Sequence, residues 1–505
     1  MGKKRENNTK SRKKSIEKNQ DNDARYSIDS RSDLSLENLN NVLRYNRYAQ
    51  ILLLLTFVGL ILRFYHLDFN SLWLDEGATL DFAQRSITGI WEATAGGEFN
   101  PPLFYYVEHA MLLFGNSEWV LRFIPALLGT LTIPVMYFIG RELIDENGGL
   151  IAAALMTFST FHLFYSQDAR AYTTMLFFFS LALIAYLWAL QSKNLFWWII
   201  CGVFSALAFW SHFYVFIPVV ILFVHALIVK KEEILTNIHA IKPILFSGLT
   251  FLIISLPVIL VTIPLFFRRT GSAPTWGLSG IDVIFSTIDQ MMSYSLVITI
   301  VFLILALLGI LKIYQNSKSN ALLIVLCLVV PFIVSLILSA KMPMSPRYMI
   351  YLLPFFFVSI AGSYLYLPKM QNPRKILVAI VVVLFVINIP FYSSYYSNYT
   401  KNDWRGFAEV VEQNTNLGDA VVVLPACMGL PFDYYYDNST DLTLEYLATT
   451  GADLEEILAS TPAENMLFFH TWDLAANNPE GDAALWLSQN TEYLGQYGGI
   501  SVYGR

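Results

Sequence analysis

Charge is scarce in this sequence: only 14% of its 505 residues are Asp, Glu, Lys or Arg, against about 25% in an ordinary soluble chain. That deficit excludes a disordered protein, a coiled coil and a typical cytosolic enzyme. Cysteine is scarce too. Cys201 and Cys327 lie in apolar runs and Cys427 near the C-terminus, with no CxxC and no Cys/His metal spacing. Neither a disulfide framework nor a zinc site is implied. The glycine-rich loops of nucleotide sites are missing, as is a Ser-His-Asp signature, so the energy source is not a nucleotide held on the inner side. No repeat recurs at a fixed period. What is abundant is apolar: 55% of residues are hydrophobic and 15% aromatic. They gather in long runs, which makes the chain a polytopic α-helical membrane protein.

The chain reads in three parts. Residues 1–47 carry twelve Lys/Arg and no apolar periodicity. They predict a disordered basic cytoplasmic tail that anchors topology and does not bind nucleic acid. The stretch is too charged, and lacks the short apolar core, for a cleavable signal peptide. Residues 48–396 hold eleven spanning candidates, near 48–65, 119–140, 150–165, 171–190, 195–211, 213–229, 243–266, 292–311, 320–340, 348–367 and 375–396. Residues 102–115 are apolar but too short to span, and carry Glu108 and His109; they suit an interfacial or re-entrant helix within a first outer loop, 66–118.

With the N-terminus inside, the inner connections hold ten basic residues besides the tail, and the outer ones hold six: Arg85, Arg170, Arg268, Arg269, Lys341 and Arg347. The bias follows the positive-inside rule and leaves the C-terminus outside. Residues 397–505 have three basic and sixteen acidic residues. Strand-like runs at 419–425 and 466–470 and helix-like spacing at 404–414 and 480–490 predict a small extracytoplasmic α/β domain. Trp404, Tyr434–Tyr436 and Trp472 are aromatic candidates there for stacking on sugar or for the core. Two sequons, at 398–400 and 438–440, fall on the same side.

Ionisable residues on a membrane rim are functional candidates. The first outer loop carries Asp75-Glu76 beside Trp73 and Leu74. Partial desolvation would raise a carboxylate and make it a better base, while a helix cap is the plainer role. The second outer turn carries Asp168 and Arg170, readable as an ion pair or as part of the same site. Asp75 and Asp168 together could hold a divalent cation through oxygen ligands. His212 and Tyr214 mark the third outer turn, as a packed cap or a substrate contact. Arg268, Arg269, Lys341 and Arg347, the last followed by Tyr348, run against the topology bias. They suit either lipid headgroups or an anionic ligand, and a guanidinium can grip phosphate with paired hydrogen bonds.

Several fragments in order carry a resemblance. They are Asp75-Glu76; Asn100-Pro-Pro-Leu-Phe-Tyr-Tyr106; Leu121-Arg-Phe-Ile-Pro-Ala-Leu-Leu-Gly129; Gly140-Arg-Glu-Leu143; Tyr165-Ser-Gln-Asp-Ala-Arg-Ala-Tyr172; and Pro346-Arg-Tyr-Met-Ile-Tyr-Leu-Leu-Pro354. Over about 65–395 the chain resembles prokaryotic members of the protein O-mannosyltransferase-like group, glycosyltransferase family 39, which have the GT-C membrane fold. The resemblance implies a transferase that moves a sugar from a polyprenyl-phosphate carrier to a glycan, lipid or protein acceptor on the outer side. It makes Asp75 the catalytic base, Glu76 its partner in acceptor or sugar binding, and Arg347 a lipid-phosphate ligand. The sequence departs from the eukaryotic enzymes in its short 267–291 loop and its C-terminal soluble part, which leaves sugar and acceptor open.

The chemistry of the residues agrees. Phosphate leaves without help from an acid, so one carboxylate acting on the acceptor hydroxyl suffices, and direct displacement predicts inversion; a glycosidase would need two carboxyls at a set separation. The rival class is a transporter or lipid flippase, which would place polar groups at the bilayer midplane, often in two related halves. A noncatalytic scaffold for the C-terminal domain is a third reading.

Overall fold

The computed structural model describes residues 41–505 except 43, 99, 193, 272, 273, 275, 293, 294, 368–372, 417, 437–442 and 464. Most of the basic tail and the 438–440 sequon lie outside the described residues. Among the described residues, eight helices are long and apolar enough to cross a membrane, and a bent pair, Glu146–Phe158 with Thr160–Ser166, makes a ninth. Leu195–Ser211 and Phe213–Val229 are shorter; 17 residues at 1.5 Å each reach about 26 Å, just under a 30 Å hydrocarbon core. Each of the eleven predicted segments therefore meets an apolar helix, eight of them at full spanning length. Leu103–Met111, continued by a 3-10 turn to Phe114, is helical and too short to span, as its sequence predicts.

Burial sorts the helices. In Pro346–Tyr366 the apolar window is 83% buried and in Leu296–Asn316 only 22%, so the former lies at the centre and the latter presents its side chains outward. Close approach depends on small residues, because van der Waals contact must replace the missing hydrophobic drive between helices in lipid. Gly309 is one such point: an added Cβ would collide with the Ser359 carbonyl oxygen of the neighbouring helix.

The bent span positions the functional end. Its two halves differ by 58° at Ser159, which is extended. A break frees carbonyls that lipid cannot satisfy. The buried Arg63 of the first helix, Arg47–Phe64, takes those of Met156 (3.0 Å) and Thr157 (3.4 Å). Tyr392 and Asn388 donate to that of Phe158. The redirected half ends at Gln167, whose amide donates to the carbonyls of Leu62, Arg63 and Tyr65. The turn 168–171 is thus pinned beside the exit of the first helix.

The C-terminal part has its own sheet: β1 Asp419–Leu424, β2 Thr443–Leu447, β3 Met466–His470, β4 Glu492–Tyr497 and β5 Ile500–Gly504, in the order β2-β1-β3-β5-β4. β1 runs parallel to β2 and β3; β5 runs antiparallel to β3 and β4. Strand alternation gives two cores. Val421, Val423 and Phe469 meet Trp404, Phe407 and Phe432; Ala420, Val422 and Phe468 meet Leu454, Trp486 and Leu487. Trp404 is therefore core, not a sugar platform, whereas Trp472 stands 72% exposed. β1, β3 and the helix Trp404–Asn414 lie where the sequence predicts them, and the 480–490 helix begins at Asp482.

Gly309→Ala is expected to destabilise the helical bundle by about 1–3 kcal/mol through overpacking, read as a lower Tm in detergent.

Candidate active site

Three acidic residues predicted from sequence come together, but in different roles. The helix Leu74–Gln84 starts at the first outer loop and places Asp75 and Glu76 in its first turn, where the helix dipole favours negative charge. Consecutive residues point about 100° apart on a helix, so the two diverge. Glu76 turns inward and is fully buried. Arg122, from the helix Glu118–Leu143, clamps it with Nε to Oε1 at 2.8 Å and Nη2 to Oε2 at 2.7 Å. Lys401 Nζ stands 2.9 Å from Oε2, and the Ala169 backbone N–H donates to Oε1 at 2.9 Å. Burial alone would raise this carboxyl, but Arg122 and Lys401 hold it well below the usual range. Arg122 is used up as well, donating to the carbonyls of Leu67, Asn70 and Ser71. The expectation that Glu76 contacts acceptor or sugar is corrected: its oxygens are spent on protein donors.

Asp168 is equally buried. Its Oδ1 accepts from Trp73 Nε1 at 2.8 Å and Lys401 Nζ at 2.9 Å. Burial, with the nearby Glu76 charge, raises its carboxyl against the opposing pull of Lys401. Asp75 alone of the three keeps access to solvent, at 23%. Its Oδ2 lies 3.2 Å from Arg347 Nη1 and 3.8 Å from Arg170 Nε. Arg170 also donates to the Asp75 carbonyl and to Thr79 Oγ1. The Arg347 guanidinium sits over the rings of Trp73, Tyr172 and Tyr348, 5.3–5.7 Å from their centroids. Such a cage holds a cation without neutralising it.

An apolar cavity of about 540 Å³ neighbours the cage, lined by Phe209, Ile217, Leu252, Ile263 and Phe266, with His212, Tyr214, Arg269 and Glu98 also on its wall. Tyr348 links the two: its ring stacks on Tyr214 at 5.2 Å and meets His212 at 5.2 Å. His212 is buried at the helix break, its Nδ1 accepting the Tyr214 N–H at 3.4 Å, so it is both the packed cap and a wall of the cavity. Arg268 and Arg269 donate to the carbonyls of Gly96 (3.1 Å) and Gly97 (2.7 Å) at the end of the helix Ile87–Gly96. They tie two loops together at the cavity mouth. Lys341 is exposed, next to Met342 of the cavity lining.

The pair Asp75 and Asp168 does not fit a divalent cation. Such an ion takes six or more oxygen ligands. Asp75 faces two guanidiniums, and Asp168 has one unpartnered oxygen, enclosed beside Lys401. Among the described residues, no group of three or more His, Cys, Asp or Glu side chains is arranged to hold a metal. Sequence reasoning gave no role in the site to Lys401 or Arg122, and named Trp73 only as a neighbour of the acidic pair. Arg122 could have been found as a buried charge inside an apolar helix. Lys401 gives no local signal, because its partners lie over 230 residues away.

Residues 100–260, about a third of the chain, match the family model for dolichyl-phosphate-mannose-protein mannosyltransferases. An uncharacterized protein of Aquifex aeolicus is 30% identical over 137 residues; the chain spans 27% of the length of that relative. Among solved structures, ArnT from Cupriavidus metallidurans bound to undecaprenyl phosphate is similar with a TM-score of 0.59 at 14% identity, covering 90% of this chain and 97% of that one. The Archaeoglobus fulgidus oligosaccharyltransferase gives 0.52 at 14% identity, covering 88% and 73%. This chain has the GT-C fold. The family match is confined to residues 100–260, and the solved structures bear on the fold. In the GT-C frame, the Asp75 end of the bundle is the end that carries the soluble domain.

One buried acid remains outside the ion cluster. Glu108 of the helix Leu103–Met111 has no hydrogen-bond partner for either oxygen among the described residues. Burial, then the Glu76 charge, raises its carboxyl well above the usual 4.5. The folded state thus holds a proton that the unfolded state releases, and stability falls as pH rises above about 4.5. Glu108→Gln is expected to melt higher than wild type at pH 7, with the gap closing towards pH 4, as measured by Tm across that range.

Proposed function

We propose that the chain transfers a sugar from a polyprenyl-phosphate donor to an acceptor hydroxyl, on the extracytoplasmic face of the membrane. Residues 1–47 form the cytoplasmic tail, 48–396 the catalytic bundle and 397–505 the outer domain. The charge asymmetry of the loops supports this orientation. The observation that carries the reading is the pairing of the accessible Asp75 carboxylate with Arg347 at 3.2 Å, beside Tyr348, whose ring stacks on Tyr214 at the rim of an apolar cavity.

The cavity suits a prenyl chain, and the caged guanidinium suits its phosphate. Donor phosphate would draw Arg347 from Asp75 and free that carboxylate for the acceptor. Asp75 then takes the proton of the acceptor O–H. The oxygen bonds to the anomeric carbon, and the bond from that carbon to the phosphate oxygen breaks. Its electron pair leaves with polyprenyl phosphate, where Arg347 stabilises the added negative charge. Attack from the face opposite the phosphate inverts the anomeric centre. Arg170 and Glu76 act at one remove: Arg170 holds the Asp75 backbone, and Glu76 fixes the helix start.

The test uses the full chain in lipid with a panel of radiolabelled polyprenyl-phosphate sugars and an acceptor extract. Wild type should release polyprenyl phosphate. Asp75→Asn should lower turnover by about 10²–10⁴-fold, the usual worth of a positioned base, while still binding donor. Arg347→Met should weaken donor binding at least about 30-fold, roughly 2 kcal/mol at 1.4 kcal/mol per tenfold. Retained turnover in Asp75→Asn would overturn the base assignment. Donor bound by wild type but never cleaved would favour lipid transport.

A further inference from the structure

The segments that follow the parallel strands of the C-terminal sheet pack against the first outer loop, which carries Asp75. In the order β2-β1-β3, the chain leaves β1 towards β2 and returns to β3 on the opposite side. The segments after the parallel strands β1 and β3 therefore part from each other. In open α/β sheets, ligands bind outside the carboxyl ends of the strands at such a switch point. Here the two segments are 425–428 and 471–473.

They sit over the first outer loop. The helix Gly429–Tyr435, which follows β1, abuts the helix Leu74–Gln84 so closely that a Cβ at Gly77 would lie 3.1 Å from Pro431 N. Leu74 and Cys427 pack on one hydrophobic cluster of the domain. Hydrogen bonds lock the docking: Tyr435 to Glu118 at 2.7 Å, Leu72 N–H to Tyr435 at 2.8 Å, and Arg405 to Glu118. Electrostatics agrees with the placement. Burial and the Asp75 charge both push up the Asp473 carboxyl, and burial, Asp473 and Asp75 push up the Cys427 thiol.

These segments have the equipment for a sugar. Trp472, in the segment after β3, stands 72% exposed. The next residue, Asp473, is fixed by Thr471, whose hydroxyl donates to Oδ2 at 3.0 Å and accepts the Asp473 N–H at 3.3 Å. An aromatic face for the apolar side of a pyranose, beside a carboxylate that accepts from adjacent hydroxyls, is a carbohydrate arrangement. The sign of the charge narrows the class. Asp473 lies within reach of the Asp75 charge and the domain carries sixteen acidic residues against three basic, whereas the cations beside Asp75, Arg347 and Arg170, belong to the bundle, on the side proposed for the donor phosphate. A phosphorylated or sialylated acceptor would be repelled.

We propose that the space between Asp75 and the carboxyl ends of β1 and β3 is the acceptor subsite, and that it takes a neutral or amino-bearing glycan. Trp472 stacks on the acceptor ring, Asp473 accepts from its hydroxyls, and a further hydroxyl reaches Asp75. The assignment of that last hydroxyl rests on the base role proposed for Asp75; glycan binding does not.

The full chain in nanodiscs is applied to an array of neutral, amino-bearing, sulfated, phosphorylated and sialylated glycans and unglycosylated peptides. Wild type and Asp75→Asn should both bind neutral or amino-bearing glycans. Trp472→Ala and Asp473→Asn should each weaken that binding roughly tenfold, about the worth of one ring contact or charged hydrogen bond. In turnover, both variants should raise the acceptor KM while donor binding stays at the wild-type level. Absence of glycan binding by wild type, preference for anionic glycans or peptides, or binding unmoved by both substitutions would overturn the subsite. Undiminished turnover in Asp75→Asn with glycan binding intact would instead overturn only the base role.

Discussion

A single buried carboxylate, Glu76, holds the functional end together. A charge without water is tolerated only if opposite charge and hydrogen bonds surround it, and losing a partner leaves an uncompensated ion costing about 3–5 kcal/mol. Its partners come from separate parts of the chain: Arg122 from the second long helix, the Ala169 N–H from the turn after the broken span, and Lys401 from the entry to the C-terminal domain. The need to satisfy one ion therefore fixes three segments against the first loop. Asp75, the neighbouring residue, inherits its position from that arrangement.

The two adjacent acids divide the work that a single one could not do. A fully enclosed carboxylate is rigid but unreachable, and an exposed one is reachable but unfixed. Placing both in the first turn of one helix, about 100° apart, lets Glu76 supply rigidity and Asp75 supply access. Arg347 completes this through its aromatic cage. Indole and phenol faces hold the guanidinium without spending its charge on another carboxylate, so it stays available to Asp75.

Much of this was legible in the sequence, and the exceptions have physical reasons. Long apolar runs dictate helices in a membrane whatever their neighbours, so the spans were readable. Asp75, Asp168, Arg170, His212 and Arg347 were readable as polar residues on one rim, and the structure gathers them at one end. Which of two neighbouring acids turns inward was not readable, because helix phase is set by Arg122, 46 residues away. The metal expectation for Asp75 and Asp168 failed because sequence shows acids but not the cations opposite them. In the soluble part, β1 and β3 are continuous apolar runs and were found. β4 and β5 form a hairpin whose edge strand, β4, is largely exposed while β5 is half-buried between β3 and β4, so neither carries an apolar run like that of β1.

Lys401 gives the arrangement an order in time. During synthesis, the first loop, its helix and the Asp168 turn all emerge before residue 401. Until then Glu76 has Arg122 but not Lys401, and Asp168 lacks Lys401, its ion-pair partner. The membrane bundle is thus built with an unmet charge that only the last fifth of the chain supplies. Arrival of that segment brings the soluble domain down onto Gly77 and closes the ion cluster in one event. A half-made chain carries Asp75 but not the full set of contacts that fixes the start of its helix.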